Sequence, residues 1–207
     1  MKPFKLALFL CASLLSFDIA VSSPAAAWTQ MPTGTAAVPP AGFLGFCAKH
    51  LQECLGKSPG PAVIELTSGR REALDAVQAT INASLKPRED PAHVWDYSTD
   101  GTADCNKYAL TKRRELIAQG FPRDTLLLAT ATTERGEGHL VLLVRTDHGD
   151  LILDNRVPHV VEWSALPYHW ISVQSQESHV RWVSVLSQLI TTADASTIIR
   201  PAAAQTR

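Results

Sequence analysis

The sequence predicts an α+β fold in which helices pack on an antiparallel sheet, and three patterns carry that prediction. Helical spacing of apolar residues is confined to the chain before residue 120. Strand-like runs rich in Leu, Val and Ile follow in succession at 125–132, 139–146 and 151–154. Apolar residues at successive positions in these runs suit a sheet covered on both faces rather than one open to water. Helices first and strands afterwards is the order of an α+β domain.

The first element is a leader for export. Lys2 and Lys5 precede a nearly unbroken apolar run from Leu6 to Phe17, and Ala25-Ala26-Ala27 supplies the small residues a signal peptidase reads. The run is too short for a bilayer span, which needs roughly 20 residues. Residues 1–27 are therefore expected to be a cleaved signal peptide, with the mature chain starting at Trp28 in the periplasm. Pro, Gly, Ala and Thr dominate the next stretch, so 28–41 is expected to be an exposed, flexible leader. The folded domain is expected to span 42–183, and 184–207, where patterning fades, to be a C-terminal tail.

Within the domain, Val63 to Leu66 suits a short extended segment. Leu74, Val77, Ile81 and Leu85 recur at helical spacing until Pro87 stops the pattern. A polar stretch containing Trp95 and Tyr97 ends in a turn at 98–102. A second helix is predicted over 105–119, with Asp104 as its N-cap and Gly120-Phe121-Pro122 as its stop. Cys105, Tyr108, Ala109, Lys112 and Leu116 share one face of it. Further strands are expected at 160–163 and 168–173, and 147–150 reads as a hairpin turn.

Composition narrows the partners. Removing Lys2, Lys5 and Asp18 with the leader takes 19 basic and 20 acidic residues to 17 and 19. A nearly neutral surface gives no electrostatic reason to expect nucleic acid or an anionic membrane. Export also places the cysteines in an oxidising compartment. Cys47, Cys54 and Cys105 remain after processing, an odd number that leaves one thiol over. Cys47 and Cys54, seven apart, are expected to form a disulfide, two buried free thiols being the alternative.

The leftover thiol sits where chemistry is favoured. Cys105 opens a helix, whose N-terminal partial positive charge and unpaired N–H groups favour a thiolate and suit an oxyanion. His139 follows the polar loop 134–138 and opens an apolar strand, a position from which an imidazole can face a cleft. Asp154 ends the next strand and supplies the carboxylate that holds a catalytic imidazole in orientation. An inert buried cysteine, an edge histidine and a turn-forming aspartate are the bland readings of the same residues. Their order makes the combination more specific than any member.

Geometry constrains this triad. A tight turn at His148-Gly149 would set Leu143 opposite Asp154 and leave His139 roughly 13 Å away along the strand. The catalytic assignment therefore leads to the expectation that His139 lies opposite Asp154. Val144 would then face Gly149 across a four-residue loop, 145–148, or a bulge would have the equivalent effect.

The chain also resembles the bacterial transglutaminase-like cysteine proteinases, particularly their short secreted forms. The resemblance rests on Gly42-Phe43-Leu44-Gly45-Phe46-Cys47 with Cys54, Trp95-Asp96-Tyr97, and Asp104-Cys105 with Tyr108. It continues through 110–117, through Gly138-His139 and the strand after it, and through 149–155, covering roughly 42–183. It implies a papain-like fold of the transglutaminase type, with Cys105 as nucleophile, His139 as general base and acid, and Asp154 as orienting carboxylate. The expected activity is cleavage of peptide or amide bonds in an exported protein through a thioester. Transamidation by the same triad and a non-catalytic binding module on the same fold are the alternatives. A metal site built from the three residues has no support in their spacing.

Well-understood relatives clip surface adhesins, bind calcium and answer to an inner-membrane nucleotide-sensing receptor. Only by that analogy is such a receptor implied here. Relatives commonly carry two acidic residues after the nucleophile, where this chain has Asn106 and Lys107. Asp104 remains, so any calcium site there is expected to be weak or absent, and no other cofactor is expected.

Overall fold

The computed structural model describes residues 29–55 and 63–186. The expected signal peptide and most of the expected tail lie outside the described residues. Strand β1 (Thr33–Ala37) leads into α1 (Ala41–Lys49), α2 (Leu51–Cys54) and α3 (Ser68–Ser84). A two-stranded parallel ribbon, β2 (Lys86–Pro87) and β3 (Thr102–Ala103), precedes α4 (Cys105–Ala118). Then come β4 (Leu126–Thr132), β5 (Gly138–Thr146), β6 (Gly149–Leu153), β7 (Val161–Glu162), β8 (His169–Ser175) and β9 (Ser178–Val185). Seven strands form one antiparallel sheet in the order β1-β9-β8-β4-β5-β6-β7.

The α+β class is as expected, and the alternation of the strands explains it. Leu126, Leu128, Leu140, Leu142, Val144, Leu151 and Leu153 face the helices, meeting Leu74 and Val77 of α3 and Ala109, Leu110 and Leu116 of α4. Leu127, Ala129, Ala131, Val141, Leu143 and Ile152 point the other way, under Trp163, Trp170 and Met31. Each fully buried aliphatic side chain contributes about 1.5–3 kcal/mol by leaving water. The two clusters together account for the unbroken apolar runs.

Capping fixes the helix starts. The Thr67 hydroxyl accepts from the Arg70 amide at α3, and the Asp104 carboxylate accepts from the Lys107 amide at 3.0 Å at α4. The C-terminal ends of α3, at Ser84, and of α4, at Ala118, fall within three residues of the stops at Pro87 and Gly120.

The expected leader is corrected at 33–37, where β1 pairs with β9 (Thr33↔Val185, Ala36↔Val183). An edge strand of Thr, Gly and Ala carries no apolar alternation to read, so pairing rather than propensity makes it a strand. Gly34 lies close enough to β9 that an added Cβ would come within 2.6 Å of Ser184 Oγ. Buried Asp150 accepts from the Met31 amide at 2.7 Å and pairs with Arg145, which ties the segment before β1 to the hairpin. Strand β9 is likewise not among the expected strands, and it takes Ser184 and Val185 out of the expected tail.

The expected disulfide is present: Cys47 and Cys54 join α1 to α2, with Cα atoms 5.6 Å apart. Beside it, Phe43, Trp95 and Trp182 meet edge to face. At Gly42 any side chain would collide, since a Cβ would lie 2.3 Å from Trp95 Cδ1. Asp96 accepts from His50 and Lys49, and the Arg114 guanidinium stacks 3.9 Å above Tyr97. Residues 42–47 and 95–97 thus hold α1 and α2 on the core.

Candidate active site

Helix α4 packs on β5 and carries Cys105 at its first position. The thiol is half-buried and free, donates to Asn106 Oδ1 at 3.8 Å, and lies near enough to His139 to raise that imidazole's pKa. The amides of Cys105 and Asn106 occupy the first two helical positions, where no intrahelical acceptor exists. Asn106 is buried and donates its side-chain amide to Asp104 Oδ2 at 3.1 Å.

His139 enters β5 one pair in from its end, opposite Ala131 of β4. The loop before it closes on Thr133, whose hydroxyl accepts from the amides of Arg135 and Glu137. Gly136 turns that loop with φ +80°. His139 Nε2 lies 2.8 Å from Asp154 Oδ1, which leaves Nδ1 as the ring nitrogen for the thiol.

The structure brings Cys105, His139 and Asp154 together, but not through the expected register. Thr146 pairs with Gly149 and Leu142 with Leu153, so the turn is the two residues Asp147-His148. The four-residue loop is therefore corrected. The Thr146 hydroxyl explains the tight turn, accepting from the His148 amide and donating to the Gly149 carbonyl at 2.6 Å. Gly149 takes φ +94°, closing the turn. Continued by one residue, this register sets Asp154 opposite Val141 rather than His139. The side chains of His139 and Asp154 share a face and meet along the diagonal.

Three donors engage both oxygens of the Asp154 carboxylate. Oδ1 accepts from His139 and from the Arg156 amide at 3.0 Å, and Oδ2 accepts from the Tyr168 hydroxyl at 2.6 Å. Burial favours the neutral acid, but His139, Tyr168 and the Arg156 amide outweigh it and hold Asp154 below the usual carboxylate value. Burial also opposes a charged His139, yet Asp154 and Cys105 raise its pKa to about 9.

Tyr168 is a site residue that the sequence does not reveal. Its ring meets that of His139 edge to face at 5.5 Å, and the Arg156 guanidinium lies 6.0 Å from its centre. Arg156 in turn pairs with Glu134 and Glu137 of the loop before His139. The only hint in the chain is a tyrosine heading a predicted strand.

A second buried His–Asp pair offers a contrast. His179 Nε2 lies 2.5 Å from Asp124 Oδ1. Burial, with Arg113 nearby, lowers the pKa of His179 despite Asp124. One imidazole is held charged beside a thiol, the other neutral beside a guanidinium. Only the first is poised for acid–base chemistry.

Sequence comparison matches residues 33–189 to the model of the bacterial transglutaminase-like cysteine proteinases, BTLCP. The chain belongs to this family. Among solved structures, calcium-bound LapG of Legionella pneumophila is 23% identical with a TM-score of 0.50, over 60% of this chain and 76% of that one. That likeness is one of fold. A second Legionella pneumophila LapG structure is 25% identical over 57% of this chain and 69% of its own, with a TM-score of 0.48. No curated protein sequence matches the chain. The proteinase family and the LapG-like fold agree with the expected class: helices packed against a seven-stranded antiparallel sheet.

Proposed function

We propose that this proteinase cleaves a peptide or amide bond of an exported protein, with Cys105, His139 and Asp154 as its triad, after export through residues 1–27 to the periplasm. The observation that carries the reading is the position of His139, hydrogen-bonded to a carboxylate held at both oxygens and close enough to the free thiol for Cys105 to raise its pKa. Cys105 Sγ attacks the carbonyl carbon, and the amides of Cys105 and Asn106 receive the oxyanion. The C–N bond breaks as His139 gives its proton to the leaving amine. A water molecule then adds to the thioester, losing a proton to His139, and the acid leaves with Cys105 restored.

Calcium does not suit the residues beside the nucleophile. Legionella LapG has a calcium-bound form, but here the Asp104 carboxylate is spent on the Lys107 amide and the Asn106 side chain. The Lys107 ammonium stands 3.0 Å from Asp90 Oδ2 and 3.8 Å from Asp104 Oδ1, filling the acidic position with a positive charge of its own. Among the described residues, no group of three His, Cys, Asp or Glu side chains is placed to hold a metal. No step is routed through one.

The test compares exported proteins, by mapping of new N-termini, between wild-type and Cys105→Ala cells. Termini that depend on Cys105 and are reproduced by the purified enzyme are expected. Identical termini in both strains, with a Cys105 inert to a substrate-like thiol probe, would overturn the reading.

A further inference from the structure

Behind the triad lies a buried polar group that the chemistry above does not use. Lys112 is wholly buried on α4, two turns after Cys105 and on the same face. Its ammonium donates to Gln78 Oε1 of α3 at 2.8 Å and lies 5.8 Å from the Tyr108 ring centre. Because Oε1 is committed to Lys112, the Gln78 amide must present its nitrogen the other way. There it donates to two backbone carbonyls, Asp154 O and Val157 O, each at 2.7 Å. Asn82, one turn along α3, donates to the same two carbonyls at 3.2 and 3.1 Å.

We propose that Lys112 and Gln78 form a strut that positions Asp154, so that α4 fixes the nucleophile directly and the carboxylate through α3. This rests on the triad reading above. Both are positioning residues, since neither touches the reacting atoms. The main chain at 154–157 leaves the sheet after β6, where no ladder partner holds it, and Gln78 supplies the shorter hydrogen bonds that replace it, with Asn82 supplying the longer pair. A lysine with no exposed surface is costly to bury for packing alone. Burial lowers its pKa to about 7, with the Asp154 charge opposing the fall. The polar or charged groups set against its ammonium are Gln78 of α3, the Tyr108 ring of α4 and Asp154 beyond β6.

The deciding variant is Gln78→Glu in the full-length enzyme, with Lys112→Met as its companion. Glutamate keeps an acceptor for Lys112 and the same shape, but has no N–H for the two carbonyls. Circular dichroism and a thermal melt establish the fold, and wild type against Cys105→Ala establishes that activity depends on the triad. Given both, Gln78→Glu is expected to stay folded and lose roughly tenfold or more in kcat with KM within about twofold, as a small misplacement of a triad member would cause. The alkaline midpoint of Cys105 alkylation, which reports the imidazolium, should also move down, and Lys112→Met should share both effects if it folds. Wild-type kcat and an unmoved midpoint in folded Gln78→Glu would overturn the strut, whatever Lys112→Met does. So would failure of Gln78→Glu to fold, since the group would then be a folding element. Activity that survives Cys105→Ala would instead sink the triad reading.

Discussion

Asp154 accepts from His139 across a diagonal of the sheet, while the ladder, continued one residue past Leu142↔Leu153, sets Val141 opposite it. The offset of two residues is spanned by side chains rather than by register. It leaves the second carboxylate oxygen to Tyr168. The carboxylate is thereby held at both oxygens.

Replacing each contact should separate charge from orientation. Asp154→Asn keeps the shape but removes the charge and the correct tautomer, and kcat should fall by about 10⁴. Tyr168→Phe removes one hydrogen bond to a charged group, worth about 1.5–3 kcal/mol, so a loss of roughly tenfold to a hundredfold is expected. Steady-state kinetics on both variants check the ranking, and equal losses would show that Tyr168 does more than hold the carboxylate.

The pH dependence comes from the two shifted groups. His139 binds its proton more tightly folded than unfolded, from 6.5 to about 9. Its contribution to stability is fully present below 6.5 and is lost as pH rises through about 9. Asp154 is shifted downward, so its contribution is present above the ordinary carboxylate value of 3.8 and is lost as pH falls through its lower folded value. Urea midpoints between about pH 6 and pH 10 should decline on the alkaline side, and His139→Gln should flatten that decline.

Reducing the Cys47–Cys54 link should loosen α1 and α2 without touching the triad. Its short loop gives an expected stabilisation of about 2 kcal/mol. A Cys47→Ala/Cys54→Ala protein should therefore melt several degrees lower yet keep its kcat, as measured by calorimetry and steady-state assay. A kcat that falls in step with stability would mean that α1 and α2 reach the active site.

Calcium should leave the wild-type enzyme indifferent. Titration calorimetry is expected to register no tight binding beside Cys105, and a chelator should not lower the melting temperature. Lys107→Asp exchanges the ammonium for oxygen ligands beside Asp104 and Asp90, and should gain calcium-dependent thermal stability. Tight binding by wild type that vanishes in Asp104→Ala would contradict the role given to Lys107.

The sequence makes the centre of the molecule legible and leaves its margins obscure. Helices α3 and α4 and strands β4 to β6 announce themselves because they are buried, and burial writes periodicity into the chain. Cys105, His139 and Asp154 are legible through their positions at element ends. Strand β1 is not, because an edge strand of small residues owes its form to β9. The expected hairpin register fails because a directly opposed pair does not allow for side-chain reach. Tyr168, Gln78 and Lys112 lie far apart in sequence, and only the folded chain brings them around Asp154.

The pairing of β1 with β9 also bears on how the molecule is made. Thr33 finds its neighbour in Val185, at the opposite limit of the sheet's sequence. Among the described residues, the strand synthesised first has no place to bind until the strand synthesised last is available. Contacts of such separation are slow to form, because loop closure comes before any reward. Helices and the central hairpin can assemble early, but the edge stays open until β9 has emerged. A polypeptide halted before β9 would hold every residue of the triad and still lack the strand that covers β8.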